Sequence, residues 1–159
     1  MAVDLDELDL RILTLLLSDG RTPASQLAEQ IGLSRPAVAD RIEKLERLGV
    51  IRGTTVVVDH QALGKRITAF VAARGGTSRT DAKAKKAFES LLKSEEVVEA
   101  HTVAGADCYL IKVRTDSIAS LNALVSRLGA PPLSLDTRTT IVMQTHCEKV
   151  GGITLGEEP

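Results

Sequence analysis

The sequence predicts an α+β fold in two parts: a head of three short helices, then a β-α-β-β-α-β array. Three observations carry that prediction. Apolar residues recur at helical spacing three times within the first fifty positions, with polar caps and glycines between the runs. From residue 67 onward, β-branched runs take turns with two further helical runs. At 159 residues, with 43% hydrophobic and 26% charged residues, the chain is long enough for two small cores and has a globular balance.

In the head, Leu5, Leu8, Ile12, Leu15 and Leu16 mark a first helix, with Asp4 or Asp6 as its cap and Gly20 beyond its end. Thr22 reads as the next N-cap and Pro23 as the first helical position, where a missing N–H costs nothing. Ala24, Leu27, Ala28 and Ile31 then form one buried face. Gly32 supplies the positive φ of a sharp turn. Ser34 caps a third helix with Val38, Ile42, Leu45 and Leu48 inward, and Gly49 ends it. Two helices joined around a glycine in TPASQLAEQIGLSRPAVADRIEKLERLG make a helix-turn-helix, so the head is winged-helix-like. After it, the β-branched run Val56 to Val58 reads as a strand and Asp59 to Gly64 as a turn. That strand either belongs to a wing or leads away from the head.

A helix-turn-helix reads DNA with the N-terminal part of its second helix, set in the major groove. Arg35, Ala37, Asp40, Arg41, Lys44 and Arg47 lie away from the apolar stripe. Arg35 and Arg41 suit bidentate bonds to guanine, while Lys44 and Arg47 suit phosphates. The helix start at Ser34 offers backbone donors to a phosphate. Thr22 and Pro36 complete the candidate DNA-contacting set. The competing reading is a solvated surface helix with pairs such as Asp40 with Lys44 or Glu43 with Arg47. The chain's net charge is −1, but Arg35 to Arg52 carries five cations against Asp40, Glu43 and Glu46, a net +2. The acidic cluster Asp4, Asp6, Glu7 and Asp9 is expected at the other end of the head. So small a local excess implies that two or more copies act together on duplex DNA.

The second part opens with a strand over Ile67 to Ala73 and a loop over Arg74 to Thr80. A helix over Thr80 to Ser94 carries Ala84, Ala87, Phe88, Leu91 and Leu92 on one face. Strands over Val97 to Val103 and Tyr109 to Arg114 flank a short loop. Asp116 or Ser117 caps a helix with Ile118, Leu121, Leu124, Val125 and Leu128 inward, broken by Gly129, Pro131 and Pro132. Leu135 to Met143 forms the last strand. This is the ferredoxin-like order, with both helices on one face of an antiparallel sheet. The domains are therefore 1–53 for the head, 54–66 for a linker strand and turn, 67–147 for the ferredoxin-like part, and 148–159 for a tail.

Several function classes are disfavoured. RNA readers of this fold stack bases on aromatic residues, and aromatics are 2% of this chain. Apolar residues on both sheet faces (Ile111, Val113, Ile141 and Met143 against Ala72, Leu110 and Val142) suggest that the open face meets another subunit. His101, Cys108, His146 and Cys147 match no metal-finger spacing, and no nucleophile elbow, phosphate loop or carboxylate pair suggests an enzyme. Two distant cysteines suggest no disulfide scaffold. With no apolar segment long enough for a leader or a membrane span, a cytoplasmic protein without membrane partners is expected. A metabolite-sensing module that regulates a partner protein without DNA is the alternative, favoured by the acidic start and near-neutral charge.

LDELDLRILTLLLSDGRTPASQLAEQIGLSRPAVADRIEKLERLGVI, then VVEAHTVAGADCYLIKV, then DTRTTIVMQT, in that order and spacing, resemble the Lrp/AsnC (leucine-responsive/asparagine-responsive) family of prokaryotic transcription regulators over nearly the whole chain. The resemblance implies a DNA-binding head and a C-terminal domain for effector binding and oligomerisation. It also implies dimers that assemble further, often to octamers, and a small-molecule effector, typically an amino acid, bound between subunits. No other cofactor is implied. The implied effector site centres on the loop before the third strand, Ala104, Gly105, Ala106, Asp107, Cys108 and Tyr109, with His101 and Thr139 beside it. The family writes this loop Gly-x-x-Asp-Tyr. Here the aspartate falls one residue early and Cys108 takes its place. Either a local bulge restores Asp107 to the site, or the effector differs, or none binds. Without the resemblance, Gly105 and Asp107 read as a plain hairpin turn.

Overall fold

In the computed structural model, which describes residues 3–76 and 81–149, four of the five helices begin on a side chain that caps them. Asp6 opens α1 (Glu7–Ser18) with a capping box: its carboxylate accepts from the Asp9 N–H at 2.8 Å, and Asp9 accepts from the Asp6 N–H at 3.4 Å. Helix α2 (Ala24–Ile31) is the exception, because its N-cap is Pro23. The Thr22 hydroxyl instead donates to the Asp19 carbonyl at 2.9 Å, so Thr22 closes the preceding turn and does not cap. Gly32 ends α2 at φ 74, the left-handed conformation its position demanded. Ser34 caps α3 (Arg35–Arg47) by accepting from the Ala37 N–H at 3.3 Å.

The head core is Ile12, Leu13, Leu27, Ala28, Ile31, Val38 and Leu45. Each fully buried aliphatic side chain contributes roughly 1.5–3 kcal/mol of transfer free energy. Two residues depart from the expected stripes, one leaving and one joining the core. Leu48, placed inward by periodicity, is the C-cap of α3 and is exposed, while Leu13 is buried. The run Val56 to Val58, expected as a strand, has no ladder, and its side chains are 71%, 71% and 56% exposed. β-Branched residues favour extended backbone, but a strand needs a neighbour, and none of the described residues supplies one. The turn over 59–64 forms as expected, with the Gln61 N–H on the Asp59 carboxylate at 2.8 Å.

The chain divides into two compact units, one of residues up to 57 together with 146–149 and one of residues 58–145. The second holds β1 (Ile67–Gly75), α4 (Ala82–Leu92), β2 (Val97–Thr102), β3 (Tyr109–Thr115), α5 (Ile118–Gly129) and β4 (Leu135–Ile141). Asp81 and Ser117 cap its helices. The antiparallel sheet has the order β2-β3-β1-β4. Ala69, Val71, Ala73, Ile111 and Val113 face Leu91, Leu121, Leu124 and Leu128 in its core. Ile118, expected inward, is 57% exposed in the first turn of α5.

The expectation of two apolar sheet faces needs correction. The face away from the core carries Phe70, Ala72 and Leu110 at its centre, but also Arg74, Glu99, His101, Lys112, Asp136 and Arg138. Val142 lies past the end of β4, and Met143 is exposed there. Of the loop expected over 74–80, Arg74 and Gly75 belong to β1, and residues 77–80 lie outside the described residues, as does the tail from 150.

Candidate functional site

Helix α3 places its side chains in two sets. Arg35, Pro36, Ala39, Asp40, Glu43, Glu46 and Arg47 form an exposed stripe, and Ala37 is half-buried at the first turn. Ala39, Glu43 and Glu46 lie outside the expected set, although helical spacing from Arg35 and Asp40 already puts them on that stripe. The expected Glu43–Arg47 pair is present at 4.0 Å. The stripe carries two arginines against three carboxylates, a net charge of −1.

Arg41 and Lys44, expected as free cations facing DNA, are engaged inside the head. One Arg41 guanidinium nitrogen, Nη1, donates to both Asp6 oxygens at 2.9 and 2.6 Å and to Asp9 at 2.6 Å. The Lys44 ammonium donates to the other Asp9 oxygen at 2.7 Å, in place of the expected pair with Asp40. The Asp9 side chain is 0% exposed. The acidic cluster is thus not at the far end of the head: Asp6 and Asp9 lie against α3. Hydrogen bonding from Arg41 holds the Asp6 carboxyl below its usual range. For Asp9, burial pushes the carboxyl upward, but bonds from Lys44, Arg41 and the Asp6 N–H outweigh it, and the net direction is down. The same bonds raise Arg41 above its ordinary value.

In the second unit, the hairpin of residues 103–108 joins β2 to β3, with Gly105 at φ 138, a conformation open to glycine. Ala104 and Ala106 are exposed in it. The Asp107 carboxylate is 24% exposed and accepts from Arg138 Nη2 at 3.1 Å. Cys108 has an exposed side chain, and its backbone extends the ladder through its N–H to the Ala73 carbonyl at 2.9 Å. Tyr109 turns to the core side and packs on Phe88 with ring centroids 4.7 Å apart.

Register separates the remaining candidates. His101 pairs with Leu110, Leu110 with Ala72, and Ala72 with Arg138, so all four share the open face. Thr139 pairs with Val71, which puts it on the opposite face. The structure therefore joins Asp107 to Arg138, with His101 on the same face but at the opposite edge of the sheet, and leaves Thr139 on the other face. Beside them, Arg74 pairs with Asp136 at 2.8 Å, and that carboxylate raises the guanidinium above its usual value. His101 lies 3.6 Å from Glu99. No group of three or more His, Cys, Asp or Glu side chains gathers at metal-binding distance among the described residues. None of their helices is long and apolar enough to cross a membrane.

Two family models match the chain: a winged helix-turn-helix DNA-binding domain over residues 5–52 and the Lrp/AsnC ligand-binding domain over residues 68–151. A helix-turn-helix transcriptional regulator of Pyrococcus abyssi is 35% identical over 148 residues, covering 93% of this chain and 95% of that protein. The proline dehydrogenase transcriptional activator of Rhizobium radiobacter is 37% identical over 144 residues, covering 89% and 91%. Among solved structures, the feast or famine regulatory protein of M. tuberculosis complexed with L-methionine superposes with a TM-score of 0.81 at 32% identity, covering 91% of this chain and 96% of that one.

Proposed function

The chain belongs to the Lrp/AsnC family of DNA-binding helix-turn-helix transcriptional regulators, and from that premise we propose that it reads operator DNA with the exposed stripe of α3 as an oligomer whose assembly responds to an amino acid. The observation that carries the reading is the stripe itself: a Ser34-capped helix with Arg35, Asp40 and Arg47 open to solvent. Arg35 and the first turn approach base edges, and Arg47 with the α3 N-terminus meets phosphates. Its net charge of −1 gives one head little non-specific affinity, so two heads spaced about 34–36 Å apart share the work.

The second copy comes through the open face of the sheet, where Phe70, Ala72 and Leu110 offer an apolar centre rimmed by ion pairs. The effector lies at that junction. Asp107 is placed to take an α-ammonium and Arg138 an α-carboxylate, each trading its present partner for the ligand. Such a ligand changes DNA binding only by favouring one assembly over another, and no catalytic step is involved. Selecting genomic fragments on the full chain tests the reading: the expected result is a small set of enriched duplexes sharing a repeated half-site. Enrichment of none would point to a metabolite sensor that works through a protein partner, which a stripe with more carboxylates than cations also fits.

A further inference from the structure

We propose that Asp9, together with Asp6, is a positioning residue for DNA reading: the two carboxylates clamp Arg41 and Lys44 so that α3 is held at a fixed angle on α1 and two of its four cations are withheld from the phosphates. The inference rests on the DNA-reading role proposed for α3. It comes from geometry alone: three oxygens of two carboxylates converge on one Arg41 nitrogen, and the fourth takes Lys44. Asp9 has no exposed side chain, so it has no route to DNA and acts only through its partners.

The clamp has an electrostatic consequence. Arg41, Lys44, Asp6 and Asp9 sum to zero, and they sit within a Debye length of any duplex lying along α3. Affinity for duplex of any sequence scales with the cations that displace counterions, and the neutral clamp removes two from that count. What remains at the surface is the exposed stripe, with no excess of cations, whose contacts depend on where each side chain sits. The clamp therefore lowers indiscriminate binding and preserves discrimination, which is a specificity device made of residues that never touch a base.

Full-length Asp9→Asn, and Asp6→Asn at the half-exposed partner, separate this from a purely structural role. Each is titrated against a fragment recovered by genomic selection and against an unrelated duplex across salt, with far-UV circular dichroism fixing the folded fraction. The expected result is a steeper salt slope on the unrelated duplex, by about 0.9 for each cation released. The preference for the selected fragment falls by about tenfold, the cost of one mismatched base pair. A merely structural clamp would scale both affinities with the folded fraction and leave slope and preference unchanged. That result overturns the proposal, and Asp6→Asn decides it if Asp9→Asn fails to fold. Arg41→Lys keeps the charge but sets it on a shorter arm, so its ammonium no longer reaches both carboxylates as Nη1 does. It flattens base preference at every position α3 reads, and flattening at a single base pair would make Arg41 a direct reader and overturn the proposal. A parent chain that preferred no fragment would defeat the DNA-reading role itself, a separate outcome.

Discussion

The molecule holds two quartets of the same chemistry. In the head, Asp6 and Asp9 meet Arg41 and Lys44; on the sheet, Asp107 and Asp136 meet Arg138 and Arg74. In both, the partners come from segments far apart in sequence. They differ in water. Asp9 is fully buried, whereas Arg138 is 76% exposed and Arg74 and Asp136 are also open. A buried carboxylate has no solvent to fall back on, so its partners fix geometry. An exposed pair gives up little when it opens, so its members remain available to a ligand. Burial, not the identity of the charges, separates the part that holds a shape from the part that can change partners.

The sharpest way to break this comparison is Asp9→Ala. Removing it leaves two cations without their shared acceptor and costs about 3 kcal/mol. This is the low end of the range for a broken buried pair, because Arg41 and Lys44 keep some access to water. Urea unfolding followed by circular dichroism measures it, and a loss under about 1 kcal/mol would place Asp9 with the surface pairs. Acid titration of the parent probes the same cluster without mutation. Hydrogen bonds from Arg41 and Lys44 hold Asp6 and Asp9 below the ordinary aspartate value of 3.8 in the folded chain. Below 3.8 the unfolded chain binds these protons first, so their contribution is complete above that pH and drains away as pH falls through the folded values. In Asp9→Asn the acid loss of head stability is shallower; an unchanged acid limb would mean that other carboxylates govern it.

A smaller effect comes from Ser34→Ala, which removes the α3 cap and costs about 1 kcal/mol by the same urea measurement. A loss matching that of Asp9→Ala would move the anchor of the reading helix from its side to its N-terminus. Ser34 was legible in the sequence, since capping is local and written in adjacent residues. The same holds for Gly32, for the apolar stripes and for the strand order of the second unit. The clamp was not legible, because Asp9 and Arg41 are 32 residues apart and only tertiary packing joins them. One signal was present: Asp9 falls between Leu5 and Ile12 at core spacing, and a charge on an apolar stripe needs a buried partner. Thr139 lies on the face opposite His101 and Arg138, a placement the sequence leaves open because one residue along a strand reverses the face. Val56 to Val58 carried strand propensity, but propensity names no partner strand.

The least stability change and the most informative functional change are expected together at Asp107→Asn. Its pair with the exposed Arg138 contributes about 0–1 kcal/mol, so the unfolding midpoint barely moves. The ligand response should move more. A ligand present at a hundredfold its Kd stabilises the native state by about 2.7 kcal/mol, which a thermal-shift screen of L-amino acids on the parent chain reads directly. In Asp107→Asn the same amino acid produces little shift, because the acceptor for its ammonium has lost its charge. Cys108→Ser should keep the response, since Cys108 joins the ladder through its backbone and that is unchanged by the swap. If instead Cys108→Ser abolished the shift and Asp107→Asn kept it, the exposed quartet would be a structural fastening like the one in the head, and the distinction drawn from burial would fail at this site.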